Sequence, residues 1–254
     1  MSWTISTAIQ TLEQLPEQPL ITTLANSALL GFDTETTGID TDSDAICSAT
    51  LVCKFPDTSW QDYGVLPWII NPHQPIDPRA SAVNGFTDEY LQTHGREPEQ
   101  ALDEIATVIT LAQRKHIPLL AYNAPFDVAM IEHNLERWGL PTIQQRLEQT
   151  SDMLLVVDPL VLDRAISHRS GKRTLSATTY YYGVVPHGDF HDATADTIAA
   201  VELIEPMARL FPQISNLTLE QLMTWQRNAH EQQQESYMQW AARNGKRAWR
   251  SNWL

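Results

Sequence analysis

The order of the apolar segments along the chain constrains its fold more than any single motif. Three β-rich runs, separated by polar turn residues, follow one another at residues 28–33, 45–55 and 62–70. Helical segments then alternate with short apolar strands, which we predict at 118–122 and 153–157. Three consecutive strands followed by this alternation indicate an α/β domain with a mixed sheet.

The length of 254 residues and the hydrophobic content of 43% fit one large domain with an appendage. We divide the chain into an N-terminal helical segment at 1–27, a central domain at 28–212 and a helical, Gln-rich tail at 213–254. Within the central domain, a long helix is predicted to begin near Asp192.

The two cysteines, Cys47 and Cys53, lie six residues apart on the same face of one predicted strand. This number and spacing favour two reduced core thiols in a cytoplasmic protein over a disulfide framework or a metal knuckle. No apolar run approaches the roughly 18–20 residues that cross a bilayer, so no membrane association is expected. The N-terminus does not have the pattern of a secretory signal.

The net charge of −14 argues against a protein that holds nucleic acid by bulk electrostatic attraction, which usually requires a basic surface. It does not exclude an enzyme that grips a short strand locally. Part of the acidity could itself form a metal site.

Two carboxylates, Asp33 and Glu35, follow the apolar run at the end of the first predicted strand. Residues i and i+2 of a strand point to the same face, so these like charges should lie together and raise each other's pKa. Such a pair needs a compensating cation, and carboxylate oxygens suit Mg²⁺ or Mn²⁺. The alternative is a turn rich in Asp and Thr.

Two further acids lie near the ends of predicted elements. Asp127 falls in the first turn of a helix, where the helix dipole alone would favour an acid. Asp196 shares a stripe with apolar residues on the inward face of its helix, where an acid is costly unless it is paired or bound to metal. His191, five residues earlier, is a candidate general base. His187 and Asp192 repeat this spacing, but we prefer His191 and interpret Asp192 as a helix cap.

Together these segments resemble the DEDD superfamily of 3′–5′ exonucleases, in its histidine-containing, DnaQ-like branch. The resemblance covers roughly residues 28–205. It is carried by three segments in order: Phe32-Asp33-Thr34-Glu35-Thr36-Thr37-Gly38, Tyr122-Asn123-Ala124-Pro125-Phe126-Asp127 and His191-Asp192-Ala193-Thr194-Ala195-Asp196. The stretch from Asn71 to Thr87 is similar to the family's linking segment, which often has His where Asn84 stands.

The resemblance implies a ribonuclease-H-like fold, with a mixed five-stranded sheet in the order 3-2-1-4-5 and helices on both faces. It also implies that two divalent metal ions, Mg²⁺ or Mn²⁺, are held by four carboxylates, and that His191 takes a proton from the attacking water. The implied metal ligands are Asp33, Glu35, Asp127 and Asp196.

Substrate contacts are predicted for Thr36, Phe86 and Asn123. Phe86 would stack on the last base or simply pack, and Asn123 would contact the terminal nucleotide or only cap its helix. A local basic group, made of Arg164, Arg169, Lys172 and Arg173, would contact phosphate or remain solvated surface charge. In the tail, tryptophans interleaved with basic residues would dock on the domain, bind single strands or bind a partner.

The expected activity is therefore metal-dependent release of nucleoside 5′-monophosphates from single-stranded or frayed 3′ ends of DNA, in proofreading or repair. The segment from Glu35 to Gly38 is most similar to epsilon-type proofreading subunits, so a DNA polymerase subunit is a candidate partner. RNA trimming of the ribonuclease T or oligoribonuclease type is the nearest alternative. A non-catalytic polymerase-associated adaptor on the same fold is the alternative of another class.

Overall fold

A computed structural model describes residues 3–148, 154–188 and 192–254, and it contains one five-stranded sheet. The spatial order of the strands is β3-β2-β1-β4-β5. The first three pair antiparallel, whereas β4 and β5 run parallel to β1. The predicted mixed sheet of order 3-2-1-4-5 is confirmed. The strands are β1 Leu29–Thr36, β2 Ile46–Lys54, β3 Gly64–Ile69, β4 Leu119–Leu120 and β5 Val156–Val157.

Helices cover both faces of this sheet, which agrees with the α/β class. In chain order they are α1 Ile5–Gln14, α2 Pro78–Asn84, α3 Asp88–His94, α4 Pro98–Arg114, α5 Ala124–Arg137, α6 Ile143–Glu148, α7 Pro159–Ile166, α8 Leu175–Tyr182, α9 Ala193–Glu202, α10 Ile204–Leu210, α11 Pro212–Ser215 and α12 Leu219–Arg243. Within the described ranges, none of these helices combines the length and the apolar character that a bilayer span requires.

The alternation of side chains along β1 assigns its residues to two different cores. Leu30 and Phe32 pack on one face with Ile105 of α4. Leu29 packs on the opposite face with Val201 of α9. Because successive strand residues alternate between the faces, the odd-numbered residues near the end of β1 point toward α9 and the even-numbered ones toward α4 and α5.

Three predicted elements are shorter in the structure than expected. Strands β4 and β5 have two residues each, shorter than the runs at 118–122 and 153–157, and Met153 lies outside the described residues. The long helix predicted from Asp192 is divided between α9 and α10. The division precedes Pro206, which has no N–H to donate to the carbonyl of Glu202 and whose ring clashes with that carbonyl.

The outer edge of β5 is covered by side chains of α12 instead of by another strand. The buried Gln226 accepts a hydrogen bond from Asp158 N–H at 2.8 Å and donates one to the Val156 carbonyl at 2.7 Å. The sulfur of Met223 accepts from Val156 N–H at 3.2 Å. These contacts satisfy backbone groups that an edge strand would otherwise leave open.

Candidate metal centre

Three carboxylates from two distant segments meet at the end of β1. Asp33, Glu35 and Asp196 each offer one oxygen atom, and these atoms all lie within 4.8 Å of one another. Asp33 and Glu35 point to the face on which α9 packs, and Asp196 lies in the first turn of that helix. The pairing predicted from the i, i+2 spacing on the strand and from the inward stripe of the helix is present in the structure.

Gly31 allows α9 to come this close to the strand. A Cβ atom added at Gly31 would lie 2.5 Å from Val201 Cγ2 and 2.6 Å from Thr197 Cγ2. Real side chains do not tolerate such distances, so any larger residue would push α9 away from β1. Since Asp196 precedes Thr197, the same displacement would separate the Asp196 carboxylate from that of Asp33.

Asp127 lies beside this group but is held by a different set of contacts. Its Oδ1 accepts hydrogen bonds from the backbone N–H of Thr34 at 3.1 Å and from the Thr34 hydroxyl at 2.7 Å. Thr34 faces α5 because it is the even-numbered residue between Asp33 and Glu35. The structure therefore places Asp127 next to the three clustered acids and fixes it on the strand that carries two of them.

Burial and mutual repulsion raise the pKa values of these acids. Burial is the largest cause for Asp33, whose pKa is raised well above its ordinary value, and the neighbouring carboxylates of Asp127, Glu35 and Asp196 raise it further. Burial and then the charge of Asp196 raise the pKa of Glu35 to about 7. Burial raises the pKa of Asp127 to about 7, against the opposing hydrogen bonds from Thr34.

A divalent cation would relieve this repulsion, and an all-carboxylate donor set suits hard cations. Asp33, Glu35 and Asp196 together can hold one such ion. The chemistry of the donor set thus fits the divalent metal that the sequence predicts.

A cleft of about 460 Å³ opens beside Glu35 and is lined by residues that include Asn84, Phe86, Asp192 and Thr194. Phe86 is half-buried, with its ring centroid 5.9 Å from that of Tyr90. It therefore packs on a neighbour and also borders the cleft, so both predicted roles remain open to it.

Asn84 lines the cleft beside Glu35, although from the sequence we assigned it no role beyond its position in the linking segment. Its side chain donates to the Thr36 carbonyl at 3.2 Å and accepts from Phe86 N–H at 3.1 Å. It also hydrogen-bonds Glu35, which opposes the rise in the pKa of that carboxyl. Asn84 thus contacts both the candidate ligand Glu35 and the backbone of Phe86 in the cleft wall.

Asn123 occupies the N-cap position of α5 without capping it. It adopts a left-handed backbone conformation, with φ of 69°, and its exposed side chain makes no capping hydrogen bond. The cap comes from Asp158, whose carboxylate accepts from Asn123 N–H at 3.0 Å and Ala124 N–H at 3.2 Å. The capping alternative for the Asn123 side chain is wrong, and its exposure leaves it available to a ligand.

Asp158 caps two helices at once, because it also accepts from Leu160 N–H at 3.0 Å at the start of α7. We expect Asp158→Ala to lower the free energy of unfolding by about 2–4 kcal/mol, since two buried helix ends lose their cap. Urea unfolding would measure this. The matched control, Asp77→Ala, removes the exposed single cap of α2 and should cost about 1 kcal/mol. Equal costs for the two variants would contradict the double-cap interpretation.

The remaining predicted site residues have these positions. The buried Thr36 donates its hydroxyl hydrogen to the Gly38 carbonyl, so a substrate contact there would use the hydroxyl oxygen as an acceptor. His191 lies outside the described residues. Asp192 caps α9 through Thr194 N–H at 3.0 Å and Ala195 N–H at 2.9 Å, as expected from the sequence.

His187, the alternative histidine, is engaged elsewhere. Its Nε2 lies 3.0 Å from a Glu202 carboxylate oxygen, and its ring stacks on Trp60 with centroids 4.1 Å apart. These contacts engage the His187 ring with Glu202 and Trp60, and they favour His191 over His187 as the candidate general base.

The local basic group divides into paired and solvated members. Arg169 and Arg173 both form ion pairs with the fully buried Asp163, whereas Arg164 and Lys172 are exposed. Burial tends to raise the Asp163 pKa, but hydrogen bonds from the two guanidinium groups hold it below its ordinary value. Arg169 and Arg173 are therefore not solvated surface charges, because their largely buried guanidinium groups share the Asp163 carboxylate.

Similarity to known proteins agrees with this geometry. The profile of the exonuclease family RNase_T matches residues 30–204. The chain is 26% identical over 161 residues to a PolC-type DNA polymerase III of Streptococcus pneumoniae, covering 63% of this chain and 10% of that protein. It is 33% identical over 95 residues to the DNA polymerase III subunit epsilon of Haemophilus influenzae, covering 37% of this chain and 32% of the relative. The chain thus spans a third or less of these relatives.

Among solved structures, Escherichia coli exonuclease I in complex with a dA16 oligonucleotide superposes with a TM-score of 0.62 at 19% identity. The match covers 74% of this chain and 42% of exonuclease I. At this identity the likeness establishes the fold, which is the ribonuclease-H-like fold expected from the sequence. With its family profile, strand order and acidic cluster, the chain belongs to the RNase_T exonuclease family, as a DnaQ-like DEDD exonuclease.

Proposed function

We propose that this exonuclease hydrolyses the terminal phosphodiester at single-stranded or frayed 3′ ends of DNA and releases nucleoside 5′-monophosphates. The observation that carries the proposal is the convergence of Asp33, Glu35 and Asp196 within 4.8 Å beside an open cleft. The similarity to segments of replicative DNA polymerase proteins favours DNA over RNA and a role in proofreading or repair, next to a polymerase subunit.

The proposed cofactors are two divalent ions, Mg²⁺ or Mn²⁺. When bound, such ions stabilise the attacking and leaving oxygens of an in-line displacement at phosphorus. Asp33 is close enough to Asp127, Glu35 and Asp196 for all three charges to act on it, so it is the residue best placed to serve both ions. Asp196 completes the ligand set from α9, and the Asn84 side chain beside Glu35 favours the charged form of that carboxyl.

The proton and the substrate are assigned to further residues. We keep His191 as the proposed general base, since it precedes α9 and its unperturbed pKa of about 6.5 suits proton transfer near neutral pH. Phe86 on the cleft wall would contact the last base, and the exposed amide of Asn123 would hydrogen-bond the terminal nucleotide.

A matched pair of 5′-labelled DNA and RNA oligonucleotides of one sequence tests the substrate assignment. With Mg²⁺ or Mn²⁺ the DNA should shorten one nucleotide at a time from its 3′ end, and a chelator should stop the reaction. A 3′-labelled copy should release its label as a mononucleotide. Faster shortening of the RNA would make the chain an RNA-trimming enzyme, and no shortening of either strand would favour the adaptor alternative.

A further inference from the structure

The charge of this chain is distributed very unevenly. Residues 1–235 contain all 31 acidic residues and 13 of the 17 basic ones, for a net charge of −18. Residues 236–254 contain no acid and four cations, which are Arg243, Lys246, Arg247 and Arg250. An enzyme that approaches a polyanion with so acidic a body gains most from a local region of opposite sign.

Exposed aromatic rings accompany these cations. Trp240 is 47% exposed and Trp249 is 76% exposed, although both are large apolar side chains. Lys246 Nζ lies 4.9 Å from the centroid of the Trp240 ring, and Arg247 Cζ lies 6.0 Å from that of Trp249. Tyr237 stacks beside Trp240 with centroids 6.1 Å apart. We call this group, together with Arg243 and Arg250, the tail surface.

The end of the tail is fixed at the carboxyl end of β5, on the side of the sheet where the parallel strand β1 also ends with Asp33 and Glu35. Trp253 is only 8% exposed, and its indole N–H donates to Asp158 at 3.4 Å. Asp158 follows β5, and its carboxylate also binds the N-terminus of α5, the helix that holds Asp127. Trp249 precedes Trp253 by four residues, so it lies within roughly 14 Å of this anchor.

We propose that the tail surface binds single-stranded nucleic acid and holds the strand whose 3′ end enters the cleft. This inference rests on the proposed function, for which it supplies the missing positive charge. Flat rings with cations over or beside them match the two repeating parts of a single strand, since bases stack on the rings and phosphates pair with the cations. Of the three possibilities left open by the sequence, docking thus applies to Trp253, and strand binding to Trp240 and Trp249.

The test measures binding of fluorescein-labelled oligo(dT) and oligo(U) of about 20 nucleotides by anisotropy, in EDTA so that no hydrolysis occurs. The test variant of the full chain combines five changes: Trp240→Ala, Lys246→Gln, Arg247→Gln, Trp249→Ala and Arg250→Gln. The control variant removes exposed cations and one exposed ring elsewhere: Arg137→Gln, Tyr180→Ala and Arg209→Gln.

We expect the test variant to bind at least about tenfold more weakly, because two stacking positions are lost. Between about 50 and 200 mM salt, its plot of log affinity against log salt concentration should lose about two units of slope, since three phosphate contacts are removed. The control should stay within about twofold of the unchanged protein. A variant with only the three Lys or Arg changes keeps the slope measurable if loss of the two rings disturbs folding.

Unchanged affinity of the test variant would overturn the proposal and leave the tail surface for a protein partner. Equal loss in the test and control variants would also overturn it, since the effect would then come from overall charge. Binding without metal does not depend on catalysis. If nucleotide release fails while the test variant still loses binding, the proposed function falls and the tail surface stands.

Discussion

Replacing Asp33 with asparagine should abolish nucleotide release and, in metal-free solution, make the protein more stable. Asparagine keeps the size of the side chain but removes the central charge of the ligand set, so we expect the release rate to fall by at least about a thousandfold. The same change removes a carboxyl whose pKa is raised by burial and by four neighbouring acids. At neutral pH it therefore relieves repulsion within the folded state.

Two measurements check this pair of effects on one sample. Nucleotide release with Mn²⁺ gives the rate, and a thermal melt in EDTA gives a rise of about 2–4 °C for each kcal/mol of repulsion removed. The control Glu205→Gln removes one charge from an exposed side chain, which lies 3.9 Å from Arg209, and should alter neither quantity. A full release rate in Asp33→Asn would refute the enzyme mechanism. A lower melting temperature of Asp33→Asn in EDTA would show that repulsion between the acids does not destabilise the folded protein.

Saturating Mg²⁺ or Mn²⁺ should raise the melting temperature of the unchanged protein, and by more at high pH than at low pH. An ion at about a hundred times its dissociation constant adds about 2.7 kcal/mol, which corresponds to roughly 5–10 °C for a chain of this size. Asp33→Asn should lose most of this increase, because the ion then lacks its central ligand.

The pH dependence follows from the raised pKa values. The pKa of Glu35 is about 7 in the folded protein and ordinarily 4.5. At a pH between these values, Glu35 is protonated to a greater extent in the folded state than in the unfolded state. Without metal, its contribution to stability is therefore lost as the pH rises through this window. A metal ion competes with those protons, so the increase in melting temperature should be larger at about pH 8 than at about pH 6. An increase that does not depend on pH would contradict a carboxylate site.

Contacts that follow from the periodicity of side chains along a strand or helix could be predicted from the sequence. Contacts between a side chain and the backbone of another element could not. Residues i and i+2 of a strand share a face, so the pairing of Asp33 with Glu35 could be predicted, as could the inward direction of Asp196. That Asp127 is held by Thr34 requires knowing which helix covers the opposite face of β1. The capping of α5 by Asp158 joins residues 35 positions apart, and both acceptors bind backbone N–H groups that no sequence pattern displays.

Charge partners show the same limitation. Arg169 and Arg173 look like surface charges in the sequence, since they lie in a polar stretch and the nearest acid, Asp163, is six and ten residues away. In the structure they enclose Asp163, which also accepts from the Tyr182 hydroxyl at 2.9 Å. The sequence places Asp163 on the buried face of α7 only if the length and phase of that helix are already known.

The covering of β5 by α12 has a consequence for how this protein can be shortened. A bare strand edge is a template on which a second chain can form β-structure, and here the protection comes from residues that follow the strand by about 70 positions. We propose that the boundary at 212/213 separates a catalytic part from a tail. The catalytic part needs this tail to cover the edge of β5. Chains ending before Leu219 would expose Val156 and Val157, and we expect them to self-associate into aggregates.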